Sequence, residues 1–234
     1  MKRVITPELL DQPSPDPARL AESLADLAWM NRCFGGTATV LHQLDRMLDG
    51  VLPSPFRVVD VGAGGADILI ALRRWCQRRH VPLEAVAVDV SQEIAYIAAD
   101  SIEKAGCESL SVVCADARSL PFSDRAFDMS ISSTFLHHLE EDDAVVTLRE
   151  MARVSDLGIL VSDLRRGLSS YIAAWVLANT VWRQHHYTHH DATASMRAAF
   201  TLEEAMTLAR RAGLDAAIEP QLWFRWALRW RRSE

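Results

Sequence analysis

The fold of this chain is decided by the stretch Val58-Val59-Asp60-Val61-Gly62-Ala63-Gly64-Gly65-Ala66-Asp67. Its first four residues predict a buried strand with a carboxylate next to its end, and residues 67–72 predict an amphipathic helix after the glycines. Gly62 and Gly64 permit positive φ angles and a close backbone approach, which a Cβ atom would block. This order of strand, glycine turn and helix brings backbone N–H groups against a nucleotide-like ligand. Taken alone, the turn also suits an ordinary connection in any α/β protein.

Two further strand units strengthen the ligand interpretation. Ala85-Val86-Ala87-Val88-Asp89 is a second apolar run that ends on an acid. In dinucleotide-binding folds an acid about 20 residues after the glycines binds the ribose hydroxyls, and Asp89 stands somewhat beyond that distance. A third unit ends on Asp116, and residues 127–132 predict the next strand. Several strands therefore terminate in polar residues, which lie at one edge of the predicted sheet.

Four motifs extend this pattern, namely DVGAGGAD (60–67), VDVS (88–91), ADARSLPFSDRAFDMSISSTFLHHL (115–139) and LREMARVS (148–155). Together they resemble the class I S-adenosylmethionine (SAM) dependent methyltransferases over roughly residues 56–163. The last third of this region looks most like the quinone C-methyltransferase group of small-molecule enzymes. The compound signature in residues 115–139 is far more specific than the glycines alone.

A nicotinamide-binding site fits the same stretch poorly. A G-x-G-x-x-G loop that starts at Gly62 needs glycine at position 67, where Asp67 would repel a pyrophosphate. SAM has no phosphate, and its amino acid portion offers an ammonium group that acids can bind. The third glycine of the family pattern Gly-x-Gly-x-Gly corresponds to Ala66, which is a small departure.

The resemblance implies an α/β fold, with a Rossmann-like, seven-stranded, mostly parallel sheet and an antiparallel C-terminal hairpin. The predicted division is a flexible arm (1–17), an N-terminal helical cap (18–52) and a SAM-binding catalytic domain (53–234). Residues 164–200 are too long for a simple connection and predict an inserted lid. Its apolar run 168–182 is shorter than the about 20 residues that span a bilayer, and it also suits a plain packing helix.

The C-terminal residues 222–231 alternate between apolar and basic side chains, which predicts a strand with one buried face. The other face would carry Arg225, Arg229 and Arg231 in solvent. An acidic partner or a membrane surface is the alternative ligand for these arginines.

The resemblance also implies SAM as the cofactor and S-adenosylhomocysteine as its product. Asp89 is expected to accept the ribose hydroxyls and Asp116 the adenine amino group. The predicted cofactor-binding residues are Asp60, Gly62, Gly64, Asp89, Val90, Asp116, Ala117 and Ser133.

Two histidines that follow the fourth strand are the predicted catalytic residues. His138 is the first candidate for a base or an acceptor-orienting group and His137 the second, because ligands of such sheets sit beyond the carboxyl ends of the strands. A histidine there can equally cap a helix. A second cluster, His185-His186-Tyr187-Thr188-His189-His190, lacks the spacing of a zinc motif, so no metal site is predicted.

The predicted acceptor is small and partly apolar, of phenolic, quinoid or polyketide-like type, and is methylated on oxygen or carbon. Its predicted contacts are Asn31, Arg32, Arg165, Tyr171, Trp175 and Tyr187, and Trp182 joins the aromatic residues of the lid. One alternative is a SAM-binding protein without catalysis. Another is an N-methyltransferase acting on an amine or a macromolecule, although such enzymes typically carry Asn/Asp-Pro-Pro-aromatic where this chain has Ser132-Ser133-Thr134-Phe135.

Composition sets the remaining expectations. The chain has 234 residues and a net charge of −6, which argues against a nucleic-acid partner because such binding needs a basic face. Four cysteines lack paired metal-ligand spacing, and no apolar signal or transmembrane segment is evident. The expected protein is cytoplasmic and acts on a small molecule, with a homodimer as one candidate assembly.

Overall fold

The computed structural model describes residues 1–11 and 16–233 and contains one seven-stranded sheet. The strands are β1 (Phe56–Val61), β2 (Leu83–Asp89), β3 (Leu110–Cys114), β4 (Phe127–Ser133), β5 (Ser155–Leu164), β6 (Ala217–Gln221) and β7 (Arg225–Arg231). Their order across the sheet is β3-β2-β1-β4-β5-β7-β6. The first five pair in parallel, whereas β7 is antiparallel to both β5 and β6. The predicted fold class is confirmed.

The described residues form eight α-helices around this sheet: α1 (Pro17–Cys33), α2 (Gly36–Met47), α3 (Asp67–Gln77), α4 (Gln92–Lys104), α5 (Glu141–Val154), α6 (Leu168–Thr180), α7 (His186–Ala198) and α8 (Leu202–Arg211). Side chains of α2, α3 and α4 form the core on one face of the sheet. Those of α5 and α8 form the core on the other face.

Strand β1 lies in the centre of the sheet because its side chains are apolar on both faces. Val58 packs in the core beneath α2 and α3, whereas Val59 and Val61 pack on the side of α5. All three valines are fully buried. A strand covered on both faces favours β-branched residues, which pack well on a pleated surface. The central position puts the glycine turn after β1 at the middle of the carboxyl edge.

The predicted insertion between β5 and α8 consists of the helix pair α6 and α7. The helix α8 that follows begins with the expected capping box, in which Thr201 and Glu204 bond to each other's backbone N–H. Within the described residues, no helix combines the length and the apolar character needed to cross a membrane.

Strand β7 departs from the predicted pattern of one buried and one solvated face. The strand begins at Arg225, since residues 222–224 form a turn, and four consecutive residues from Arg225 onward are buried. The reason is its place inside the sheet, between β5 and β6, with helices over both faces. Arg231 is solvated as expected, but the prediction is wrong for Arg225, of which only 4% is exposed, and Arg229 is largely covered, with 15% of its side chain exposed.

The predicted N-terminal arm has little regular structure apart from one 3₁₀ turn at Leu9–Asp11. Hydrogen bonds nevertheless tie it to the body of the protein. Arg3 donates to the carbonyl oxygens of His137, Leu139 and Ala198, at 3.1, 2.7 and 2.6 Å respectively. Residues 12–15 of the predicted arm lie outside the described part of the chain. The division into arm, cap and catalytic domain stays a prediction.

Candidate functional site

The turn after β1 exposes bare backbone because its residues adopt left-handed conformations. The φ angles are +71° at Gly62, +51° at Gly64 and +61° at Ala66. A Cβ atom on Gly62 would lie 2.1 Å from Cγ of Phe135, so only glycine fits there. The backbone N–H of Gly64 donates to Oδ2 of Asp89 at 3.1 Å, which holds the turn against the end of β2. The strand ends and the turn therefore form one continuous surface at the carboxyl edge of the sheet.

Two joined clefts lie along this surface. One, of about 320 Å³, extends over the glycine turn, and the other, of about 250 Å³, continues towards the end of β3. Both are lined by Gly62, Asp89 and Phe135, so together they suit one elongated ligand. The structure brings all eight predicted cofactor-binding residues to these clefts: Asp60, Gly62, Gly64, Asp89, Val90 and Ser133 line the first, while Asp89, Val90, Asp116 and Ala117 line the second.

Acidic side chains mark one end of the first cleft. Only 1% of Asp60 is exposed, and neither of its carboxylate oxygens has a hydrogen-bond partner among the described residues. Burial raises the pKa of Asp60 well above its ordinary value, and the charges of Asp67 and Asp89 raise it further. Asp67, which is half-buried, accepts a hydrogen bond from Asn31 at 3.1 Å. Orphaned carboxylate oxygens in a cleft need a cation or a donor, and the ammonium group of SAM is both.

Asp116 marks the other end, in the second cleft. Its carboxylate pairs with Arg118 at 2.6 Å, and the hydrogen bond from that side chain lowers the pKa of Asp116. Asp116 is therefore an ionised acceptor beside the small side chain of Ala117. This arrangement fits a flat ring with an exocyclic amino group, as in adenine.

Replacing Asp89 with alanine tests the cofactor cleft. A hydrogen bond to a charged group contributes about 1.5 to 3 kcal/mol, so Asp89→Ala should weaken SAM binding roughly ten- to a hundredfold in calorimetry. Glu84→Ala is the matched control, because Glu84 is exposed on the same strand β2. Unchanged SAM affinity in a folded Asp89→Ala protein would refute the site.

An apolar cavity of about 430 Å³ adjoins the first cleft. Thr134 and Leu27 line both spaces, so the apolar cavity begins where the cofactor cleft ends. The aromatic side chains on its wall are Phe34, Trp182, Trp223 and Phe224. Thr134 adopts a left-handed φ of +57°, and its hydroxyl accepts a hydrogen bond from Arg225 at 2.9 Å. Such a cavity suits a mostly apolar ligand with few polar groups.

The predicted acceptor contacts are largely displaced from this cavity. Asn31 lines the cofactor cleft instead, and Arg32 is exposed. Tyr171 and Trp175 do not line the cavity, whose lining residues from α6 are Ser170, Ala173, Ala174, Val176 and Leu177. The backbone of Arg165 bonds to Phe224, and the hydroxyl of Tyr187 accepts from the backbone of Asp16. Only Trp182 of the predicted lid aromatics lines the cavity.

The two predicted catalytic histidines occupy different environments. His137 is 1% exposed, with Nδ1 2.7 Å from Oδ1 of Asp163 and its backbone N–H 3.1 Å from Oδ2. Burial alone would raise the pKa of Asp163, but the facing His137 holds it below its ordinary value. His138 is half-buried and lines the cofactor cleft. The second histidine cluster is divided, since His185 bonds to Asp26 and His190 to Asp191.

Sequence reasoning missed several residues that line or support the site: Glu8, Thr134, Asp163, Trp223 and Arg225. Asp163 carried a signal, because it is the penultimate residue of the fifth strand, much as Asp89 is the last residue of the second. Glu8 and Arg225 carried none, since contacts between distant parts of the chain bring them to the site.

Comparison with known families gives a finding that agrees with this geometry. Residues 58–158 match a methyltransferase domain family. An uncharacterised methyltransferase of Bacillus subtilis is 32% identical over 98 residues, which are 42% of this chain and 36% of that protein. A demethylmenaquinone methyltransferase of Roseiflexus castenholzii is 31% identical over 112 residues, which are 48% of this chain and 43% of that protein. The chain thus spans less than half the length of these relatives.

Solved structures extend the likeness to the whole fold. A SAM-dependent methyltransferase from Aquifex aeolicus superimposes with a TM-score of 0.65 and 16% identity, over 93% of this chain and 99% of that one. The family match supports the resemblance to SAM-dependent methyltransferases, and this neighbour shows that the chain shares their fold. They do not single out the quinone C-methyltransferase group.

Proposed function

We propose that this protein is a SAM-dependent methyltransferase that acts on a small, largely apolar acceptor. The acceptor is of phenolic, quinoid or polyketide-like type and receives the methyl group on oxygen or carbon. The observation that carries the proposal is the apolar cavity joined to the cofactor cleft at Thr134. A methyl donor on one side of this junction and an acceptor on the other would meet beside Thr134 and His138.

The residues of the clefts and of the cavity have different proposed roles, which follow from their chemistry. Asp60 and Asp67 would hold the ammonium group of SAM, while Asp89 and Asp116 would hold its ribose and adenine. When bound, SAM supplies an electrophilic methyl group on its sulfonium. The apolar walls of the cavity exclude water and fix the acceptor in line, and such positioning can account for about 7 to 11 kcal/mol of barrier lowering. His138, which lines the cofactor cleft, would orient the acceptor atom that receives the methyl group.

Filling the apolar cavity tests the acceptor assignment. Ala174 is buried on the inner side of α6 and lines the cavity, so a phenyl ring at that position takes up acceptor volume. Ala174→Phe should raise the acceptor KM roughly tenfold or more, with SAM affinity unchanged. Ile172→Phe is the control, because Ile172 is 52% exposed on the same helix. Equal acceptor kinetics in both variants would contradict the assignment.

The candidate functions predict the methylation of different acceptors. A panel of alkylated phenols, naphthols and hydroxyquinones, tested beside amines and nucleosides, should yield S-adenosylhomocysteine only with the first three classes. Methylation confined to amines or nucleosides would replace the proposal by an N-methyltransferase. SAM binding without turnover of any acceptor would favour a binding protein.

A further inference from the structure

Glu8, His137 and His138 form a cluster of potential metal ligands beside the acceptor cavity. Each offers one ligand atom, and these atoms all lie within 4.8 Å of one another. Glu8 and His137 are buried, and His138 is half-buried. Two imidazoles and one carboxylate are a common ligand set for catalytic Zn²⁺ in proteins.

Hydrogen bonds orient the ligands of this cluster. Asp163 bonds to Nδ1 of His137, which leaves Nε2 of that ring facing Oε1 of Glu8 at 3.8 Å. This separation exceeds a hydrogen bond. Two ligands of a tetrahedral Zn²⁺ with bonds of about 2.0 to 2.1 Å stand roughly 3.4 Å apart, so these ligand atoms, which lie within 4.8 Å of one another, would have to move closer together to bind an ion.

Hydrogen bonds with residues of α7 also fix the position of Glu8. The hydroxyl of Ser195 donates to its Oε1 at 2.6 Å, and Asp191 accepts the backbone N–H groups of Leu9 and Leu10 at 2.9 and 3.2 Å. Carboxylates and hydroxyls that fix metal ligands in this way are typical of protein metal sites. The N-terminal segment is thereby fastened with its carboxylate towards the two histidines.

The charges around this cluster are mixed. Glu8, Asp163 and Asp191 are three buried carboxylates. Arg3 donates to the carbonyl oxygen of His137 at 3.1 Å, and Arg225 acts electrostatically on Asp163, so the proposal depends on the ligand geometry and not on net charge.

We propose that Glu8, His137 and His138 bind a divalent transition-metal ion, for which Zn²⁺ fits the ligand set best. A small cavity of about 80 Å³ lies against all three residues and is also lined by Thr134, which leads to the apolar cavity and the cofactor cleft. A fourth ligand can therefore enter from this side. Resting on the proposed function, that ligand is an oxygen of the acceptor, which the ion holds near the methyl donor.

Metal binding by the purified full-length protein tests the site without SAM or acceptor. After treatment with a chelator, the protein is titrated with Zn²⁺ in calorimetry and with Co²⁺ in visible absorption. One ion should bind per chain, and Glu8→Gln and His138→Gln should each weaken binding at least tenfold. Glutamine at position 8 can still accept the hydrogen bond from Ser195, so this variant keeps the local fold.

His185→Gln is the matched control, because His185 also pairs with a carboxylate, Asp26 at 2.6 Å, but lies outside the cluster. Its metal affinity should equal that of the unmodified protein. Absence of one-to-one binding, or equal affinities in Glu8→Gln, His138→Gln and His185→Gln proteins that remain folded by circular dichroism, would overturn the metal site. SAM binding and acceptor turnover are measured in separate assays. Failure of the metal titration would therefore refute the metal site without refuting the proposed function.

Discussion

Replacing Gly62 with alanine should abolish SAM binding. The added Cβ would lie 2.1 Å from Cγ and 2.7 Å from Cβ of Phe135, so the ring must move or the turn must shift. Phe135 lines both cofactor clefts, and either response deforms them. Calorimetry should detect no SAM binding at concentrations that saturate the unmodified protein, an effect of more than a hundredfold. The variant should also lose thermal stability.

Gly213→Ala separates this clash from backbone strain. Gly213 has a similar left-handed φ of +80°, but nothing lies within 4 Å of the position of its Cβ. This control should therefore show only the strain of a non-glycine residue in that region, about 1 to 2 kcal/mol, with SAM affinity retained. SAM affinity equal in the two variants would refute the role assigned to the turn after β1.

Arg225→Met should cause the largest loss of stability. The guanidinium of Arg225 is buried and donates to Oδ1 of Asn31 at 2.8 Å and to the hydroxyl of Thr134 at 2.9 Å. Burial lowers the pKa of Arg225, whereas the charges of Asp163 and Asp67 raise it. Methionine at this position leaves Oδ1 of Asn31 and the hydroxyl of Thr134 without their donor, and each lost hydrogen bond from a charged group costs about 1.5 to 3 kcal/mol. Urea denaturation at equilibrium measures this difference in the free energy of unfolding.

Arg231→Met serves as the comparison on the same strand. Arg231 forms an ion pair with Asp49 at 3.2 Å, and both side chains are largely exposed. Surface pairs of this kind contribute about 0 to 1 kcal/mol. If Arg225→Met destabilised the protein no more than Arg231→Met, the buried network would not hold the N-terminal helix and the turn after β4 together.

The sequence by itself determined which strand ends line the cofactor cleft. Each of these strands carries its own local signal at its carboxyl end: Asp60 just before the glycines that follow β1, Asp89 as the last residue of β2 and Asp116 shortly after β3. Parallel strands bring these ends to one edge, so reading each segment separately was sufficient to place them together, whereas the seven-stranded sheet was implied by the family resemblance. The capping box of α8 could also be predicted from the local sequence, because its hydrogen bonds join residues only three positions apart.

Only the tertiary structure decided the acceptor cavity, the burial of Arg225 and the position of Glu8. The cavity is assembled from α1, the turn after β4, α6 and the turn before β7, which are distant in the chain. Helix α6 carries apolar side chains on every side, as Trp175 and Ile172 outside and Leu177 inside show, so periodicity could not identify its inner face. Arg225 is buried because β7 lies between two strands, and Glu8 meets His137 because the N-terminal segment folds back over α7. Such contacts depend on packing between segments, which no local pattern of residues encodes.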